Sequence, residues 1–129
     1  DGIRDHCVTG VQTCALPILR QVILADHLRD YIVRLTLATH PEGPLAAEIT
    51  NRYLRWGSSP RGAQTIALAA KVRALLDGRF NVSFEDVRRT YLPALRHRVI
   101  ANFEALAEGI SNDQILLEVL EKTPQKAEL

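Results

Sequence analysis

The residues best placed to do chemistry sit in one short run, Gly57-Ser58-Ser59-Pro60-Arg61-Gly62. Two glycines five apart imitate the opening of a phosphate-binding loop. That chemistry needs Lys and then Ser or Thr after the second glycine, to reach the terminal phosphates and a magnesium ion. Ala63 and Gln64 stand there instead. No buried strand ending in paired acids is evident that could place Mg²⁺ and water, so the chain alone is not expected to hydrolyse a nucleoside triphosphate. What remains is Arg61, in the first turn of a helix that Ser59 is placed to cap and Pro60 to open. A cation there opposes the helix dipole at a cost of roughly 0.3–1 kcal/mol. A nearby anion reverses the sign of that effect, because a polyphosphate gains the free N–H groups of the helix start and a guanidinium fork that holds two oxygens. The competing account is an ordinary solvated arginine, or one paired with a carboxylate.

Other chemistry-bearing residues form weaker constellations. Arg88, Arg89, Arg96, His97 and Arg98 make a basic neighbourhood around Pro93, which leaves a small helix-turn-helix DNA-binding module as the rival reading. Glu85, Asp86 and Glu104 dilute that patch. The same basic groups also suit contact with an acidic protein surface, or a solvated face. Tyr53 and Trp56 precede Gly57 and either stack on an adenine or pack the loop against the next helix. His27, His40 and His97 are too scattered for a metal site and read as surface or capping residues. No acid, base and nucleophile lie at a spacing that suggests an independent enzyme.

The elements that must carry these residues are helical. Leu28, Tyr31, Ile32 and Leu35 recur along one helix face, with Asp26 as the expected N-cap and His40-Pro41 as the stop. The stretch from Pro41 to Ser58 reads as a long connection with a short helix around Ala46 to Leu54. Ser59 and Pro60 start a central helix that Gly78 stops. Its stripe of Ala63, Ala67, Ala70 and Ala74, beside Ile66 and Leu75, suits close approach to a neighbour. Ser83 and Asp86 form a capping box with Val82 and Val87 as a hydrophobic staple, and Pro93 ends or bends that helix. Ser111 and Gln114 form a second box, with Ile110 and Ile115 as staple, before an apolar face of Ile115, Leu116, Val119 and Leu120. The fold class expected is all-α, a small bundle of about four helices. The tail over residues 123–129 has little to bury.

Composition bounds the rest. The chain has 129 residues, 47% hydrophobic and 24% charged, with a formal charge of +1, which suits one folded domain and argues against a general nucleic-acid or membrane binder. No apolar run is long enough to insert in a membrane. Residues 1–18 stand apart, with neither a signal-peptide order nor a helical or strand period. One choice of codons for Asp1 to Asp5 and for Val8 to Ile18 spells, in a single frame, the two halves of a short-read sequencing adapter. His6 and Cys7 fill a barcode-sized gap between them. Setting this segment aside removes Cys7 and Cys14, the only cysteines, so no disulfide or redox compartment is argued. Without Asp1, Arg4 and Asp5, 15 basic and 13 acidic residues remain.

Taken in order, LRDYIVRLTLATH, GSSPRG, AQTIALAAKVRALLDGR, VSFEDVRR and PALRHRVIANFEALAEGIS resemble consecutive blocks of the C-terminal lid of MoxR-family AAA+ ATPases. The resemblance spans Leu19 to about Leu120 and assigns residues 19–122 to that lid. It implies that Arg61, in the SPR motif with Ser59 and Pro60, is the sensor 2 residue, reaching the γ-phosphate of ATP held by a large domain. The family's Walker A and B motifs, sensor 1 and arginine finger have no counterpart here. An adapter joined to Leu19 would account for that as a lost upstream sequence. The resemblance further implies a cytoplasmic, hexameric, Mg²⁺-ATP-driven chaperone-like parent. Its implied partners are the large domain, neighbouring subunits and proteins with von Willebrand factor A domains, without nucleic acid.

Overall fold

Apolar residues at helical spacing, bounded by recognisable start and stop residues, build most of the chain. In the computed structural model, which describes residues 17–126, helix α1 spans Asp26–Leu37 and buries Leu28, Tyr31, Ile32 and Leu35. Most of the adapter-like segment 1–18 and the last three residues of the tail lie outside the described residues. The N-cap of α1 is Ala25, not Asp26. Asp26 is the first helical residue, where its carboxylate meets the positive end of the dipole and pairs with Arg29 at 3.4 Å.

The long connection holds the expected short helix, α2 over Glu48–Tyr53. Thr50 Oγ1 ties it to α1 by donating to the carbonyl of Ala38 at 2.7 Å. Helix α3 spans Pro60–Leu76, and Gly78 follows it with φ of +73°, the left-handed conformation that ends a helix without a Cβ penalty. Helix α4 spans Phe84–Leu95 and opens on the reciprocal Ser83/Asp86 box, with Val82 and Val87 both buried. Pro93 lies inside α4 and does not end it. Near the C-terminal end its ring costs a single backbone bond, and the helix runs two residues further. Helix α6 spans Asn112–Lys122 and opens on the Ser111/Gln114 box.

Three features have no strong period in the sequence. Helix α5, Phe103–Glu108, is only six residues long, capped by Asn102 and stopped by Gly109 at φ +71°. Strands β1, Leu54–Trp56, and β2, Ile100–Ala101, form an antiparallel ribbon that pairs Leu54 with Ala101 and Trp56 with Ile100. A parallel bridge also joins Ile23 to Asn81, with Ile23 N donating to Phe80 O and Val82 N to Ile23 O.

Helix α3 lies between α1 and α4, with Ile66, Ala70 and Ala74 fully buried. Small side chains on this face let the helices approach, and a Cβ added at Gly62 would stand 2.7 Å from Leu95 Cδ2. Tyr91, Leu95, Ile115 and Leu116 complete the core, each large apolar side chain contributing about 1.5–3 kcal/mol through burial. Past α6, Arg34 donates to the carbonyls of Pro124 and Gln125, at 2.7 and 3.0 Å, so these two tail residues lie against α1.

Candidate functional site

The start of α3 is held by a loop that is hydrogen-bonded to the residues just after α1. Ser58 is fully buried, and its N–H donates to Thr39 Oγ1 at 3.0 Å. Thr39 in turn donates to Thr36 O at 2.6 Å. His40 Nε2 lies 2.7 Å from Ser58 O. A carbonyl oxygen only accepts, so His40 is protonated on Nε2. Gly57 passes so close to this corner that a Cβ would meet Thr39 O at 2.5 Å and His40 N at 2.8 Å. Backbone lies on the far side of that contact, so only glycine fits. The consequence is a fixed take-off point for Ser59, Pro60 and Arg61.

All three of those residues are exposed. Ser59 occupies the N-cap position in extended conformation, yet its side chain accepts no backbone hydrogen bond, unlike Ser83, Asn102 and Ser111 at their helices. Every other named helix carries an acid in its first turn: Asp26, Glu48, Glu85 with Asp86, Glu104 and Asp113. Helix α3 carries none, and Arg61 stands there instead. Among the described residues the Arg61 guanidinium has no ion pair or hydrogen bond. Its backbone carbonyl accepts from Thr65 Oγ1 at 2.8 Å. In the first turn Pro60 has no N–H and the Gly62 N–H donates to Ser59 O at 2.9 Å, so the Arg61 N–H stands open beside its own free guanidinium, an arrangement suited to an anion.

Arg61 also belongs to a face. Arg61, Thr65, Leu68, Val72 and Leu76 follow at three- and four-residue intervals on one side of α3, opposite Ile66, Ala70 and Ala74. Leu68, Val72 and Leu76 are 54%, 42% and 81% exposed, an apolar stripe that continues outward from the arginine.

The remaining sequence candidates separate. Tyr53 is buried and donates its hydroxyl to Glu108 at 2.6 Å beneath the Arg52 guanidinium, so it packs the loop and is closed to an adenine. That hydrogen bond to Glu108, with burial, raises its pKa. Trp56 is 60% exposed on β1. The basic neighbourhood around Pro93 does not form one surface of free charges. Arg89 pairs with Glu85 at 2.7 Å and Arg96 with Asp113 at 3.5 Å, while Arg98 turns to neutral oxygens. His27 lies beside the Phe84 ring, and His97 is exposed. Among the described residues no group of three or more His, Cys, Asp or Glu could hold a metal ion, and no helix is long and apolar enough to cross a membrane.

Sequence reasoning missed the roles of Thr39, His40 and Ser58. His40 was legible as a helix stop before Pro41 and as a surface or capping residue; its ring is partly buried, and nothing in the spacing shows that it returns to residue 58.

Among the described residues this helical domain presents an unpaired arginine at a helix start beside an exposed apolar stripe, a surface suited to meeting another domain. The AAA lid domain family matches residues 46–119, and the chain belongs to that family. Within it the sequence fits the lid of a MoxR-type AAA+ ATPase. It is 35% identical over 94 residues to Chaperone MoxR1 of Mycobacterium tuberculosis, covering 73% of this chain and 25% of that protein. It is 38% identical over 94 residues to Protein MoxR of Paracoccus denitrificans, covering 70% and 26%. The crystal structure of a proposed ATPase from Cytophaga hutchinsonii superposes with a TM-score of 0.78 at 32% identity, over 87% of this chain and 34% of that one. The chain thus spans about a quarter of the length of these MoxR proteins.

Proposed function

We propose that this domain closes over ATP bound by a separate AAA+ domain, with Arg61 as the sensor 2 guanidinium that meets the γ-phosphate. The observation that carries the reading is the exposed and unpaired Arg61 at the one named helix start without an acid among the described residues. In this reading Leu68, Val72 and Leu76 dock against the ATP-carrying domain, which excludes water from the phosphate and strengthens its attraction to the guanidinium. The residues here fit the anionic part of the nucleotide: one fork-shaped donor and the open backbone N–H of Arg61 at the helix start. They offer no carboxylate pair for Mg²⁺, so the ion belongs to the domain that holds the triphosphate. Arg61 would hold the γ-phosphate of bound ATP and add positive charge where negative charge accumulates during phosphoryl transfer, so that it serves both binding and turnover. Hexameric assembly, a cytoplasmic setting, chaperone-like work, and partners carrying von Willebrand factor A domains belong to the same proposal.

The test joins this lid to its ATP-binding domain and changes Arg61 to Ala. ATP turnover is expected to fall by about 10²-fold with unchanged melting temperature, since the side chain is exposed. Turnover equal to the parent's, at both limiting and saturating ATP, would remove Arg61 from the site.

A further inference from the structure

Arg98 pairs with no acid among the described residues. It follows the end of α4, where its Nε donates to Ala94 O at 3.1 Å and its Nη2 to Thr65 Oγ1 at 3.4 Å. Thr65 stands one turn beyond Arg61, and its hydroxyl donates to the Arg61 carbonyl at 2.8 Å. A second guanidinium is thereby brought, partly buried, to the outer face of α3 that carries Arg61. A guanidinium has five N–H donors, and these two contacts leave most of them free.

The electrostatics of the placement are unfavourable within the domain. Partial burial weakens hydration of the charge, Arg61 stands on the adjoining turn, and α3 directs its positive end toward the same region with no acid in its first turn. Arg89 and Arg96, from the same stretch of sequence, each reach a carboxylate. Arg98 instead makes its contacts with neutral oxygens that orient it. An anion lying across the start of α3 would offset all three positive contributions together.

We infer that Arg98 is a second phosphate-binding cation, flanking with Arg61 the triphosphate that the ATP-carrying domain presents. The inference rests on the reading of Arg61 given above and extends it to a two-arginine clamp. Arg61 approaches from the first turn of α3, and Arg98 approaches from the segment after α4, held in register by Thr65. The two elements that carry the clamp are packed against each other through Gly62 and Leu95, so the spacing of the two arginines is built into the core.

The test uses the lid joined to its ATP-binding domain and measures Mg-ATP affinity, turnover and melting temperature. Arg98→Gln removes the charge while its Nε2, which stands where Arg98 Nε stands, can still donate to Ala94 O, and Arg98→Lys keeps the charge. ATP affinity is expected to fall about tenfold in Arg98→Gln at near-constant melting temperature, and to stay close to the parent's in Arg98→Lys. The loss should be smaller in an Arg61→Ala background, because the two side chains share one ligand. If Arg98→Gln keeps parental affinity and turnover while Arg61→Ala does not, the clamp is overturned and the Arg61 reading stands. If neither change has an effect, both fall. A lowered melting temperature with intact ATP affinity in Arg98→Gln would assign the residue to packing alone and overturn the inference.

Discussion

His40 Nε2 and the carbonyl oxygen of Ser58 meet at 2.7 Å, across a gap of eighteen residues in sequence, and the contact joins the end of α1 to the turn that delivers Arg61. Among the described residues it is the only side-chain hydrogen bond that the Ser58 carbonyl receives. In His40→Ala that carbonyl loses its donor, which is expected to cost about 1–2 kcal/mol of stability. Turnover in the joined protein should fall as well, because the loop's position is what sets Arg61. Thermal melting and ATP turnover, measured on the same preparation, check both effects. A stability loss with full turnover would separate the loop from the site.

Gly57 offers a sharper probe of the same corner. A Cβ at this position meets the Thr39 carbonyl at 2.5 Å, and no side-chain rotation relieves a clash with backbone. Gly57→Ala is expected to destabilise the domain by about 1–3 kcal/mol and to displace the loop from Thr39. Amide exchange at Ser58 reports the displacement directly, since its N–H is held by Thr39 Oγ1. Unchanged protection of that amide would contradict the close approach.

How much of this could be read from the chain depended on how local the signal was. The Ser83/Asp86 and Ser111/Gln114 boxes announce α4 and α6 because both partners lie within one turn, and Pro60 announces α3 for the same reason. Arg61 was legible as an oddity, a cation where acids are the rule. The β1–β2 ribbon was not legible, since two- and three-residue strands carry no usable alternation. Nor was the Thr39–His40–Ser58 anchor, or the reach of Arg98 to Thr65, because each joins residues far apart in sequence through contacts that only the packed helices create. Asp26 illustrates a smaller miss: a good capping residue placed one position inside the helix, where the dipole also welcomes it.

Asp86 makes the acid limb of stability predictable. Its buried carboxylate accepts two hydrogen bonds from Arg79, at 2.8 and 2.9 Å, and further bonds from Ser83. Chiefly through Arg79, and against the opposing effect of burial, its pKa is lowered to about 2. Because the folded value lies below the unfolded one near 4, the stabilisation is complete above about pH 4 and is lost as pH falls toward 2. Asp86→Asn should therefore lower stability by about 2 kcal/mol at neutral pH and flatten the dependence between pH 4 and 2. Urea melts at a series of pH values decide it, and a parent and variant with parallel profiles across that range would refute the assignment.

The exposed stripe on α3 makes the opposite kind of prediction. Leu68→Lys and Val72→Lys change solvent-facing positions, so the lid alone should keep its melting temperature within about 0.5 kcal/mol of equivalent stability. Joined to the ATP-binding domain, the double variant should lose turnover and gain protease sensitivity between the domains. Full turnover would mean that the stripe faces water when the enzyme works.

A guanidinium that meets the terminal phosphate must distinguish ATP from ADP, so the relative affinity for the two nucleotides measures that contact most directly. Titrations of the joined protein with each nucleotide should give a preference for ATP that collapses by about tenfold or more in Arg61→Ala, with ADP affinity nearly unchanged. An ATP-to-ADP ratio that is the same in parent and variant would contradict it.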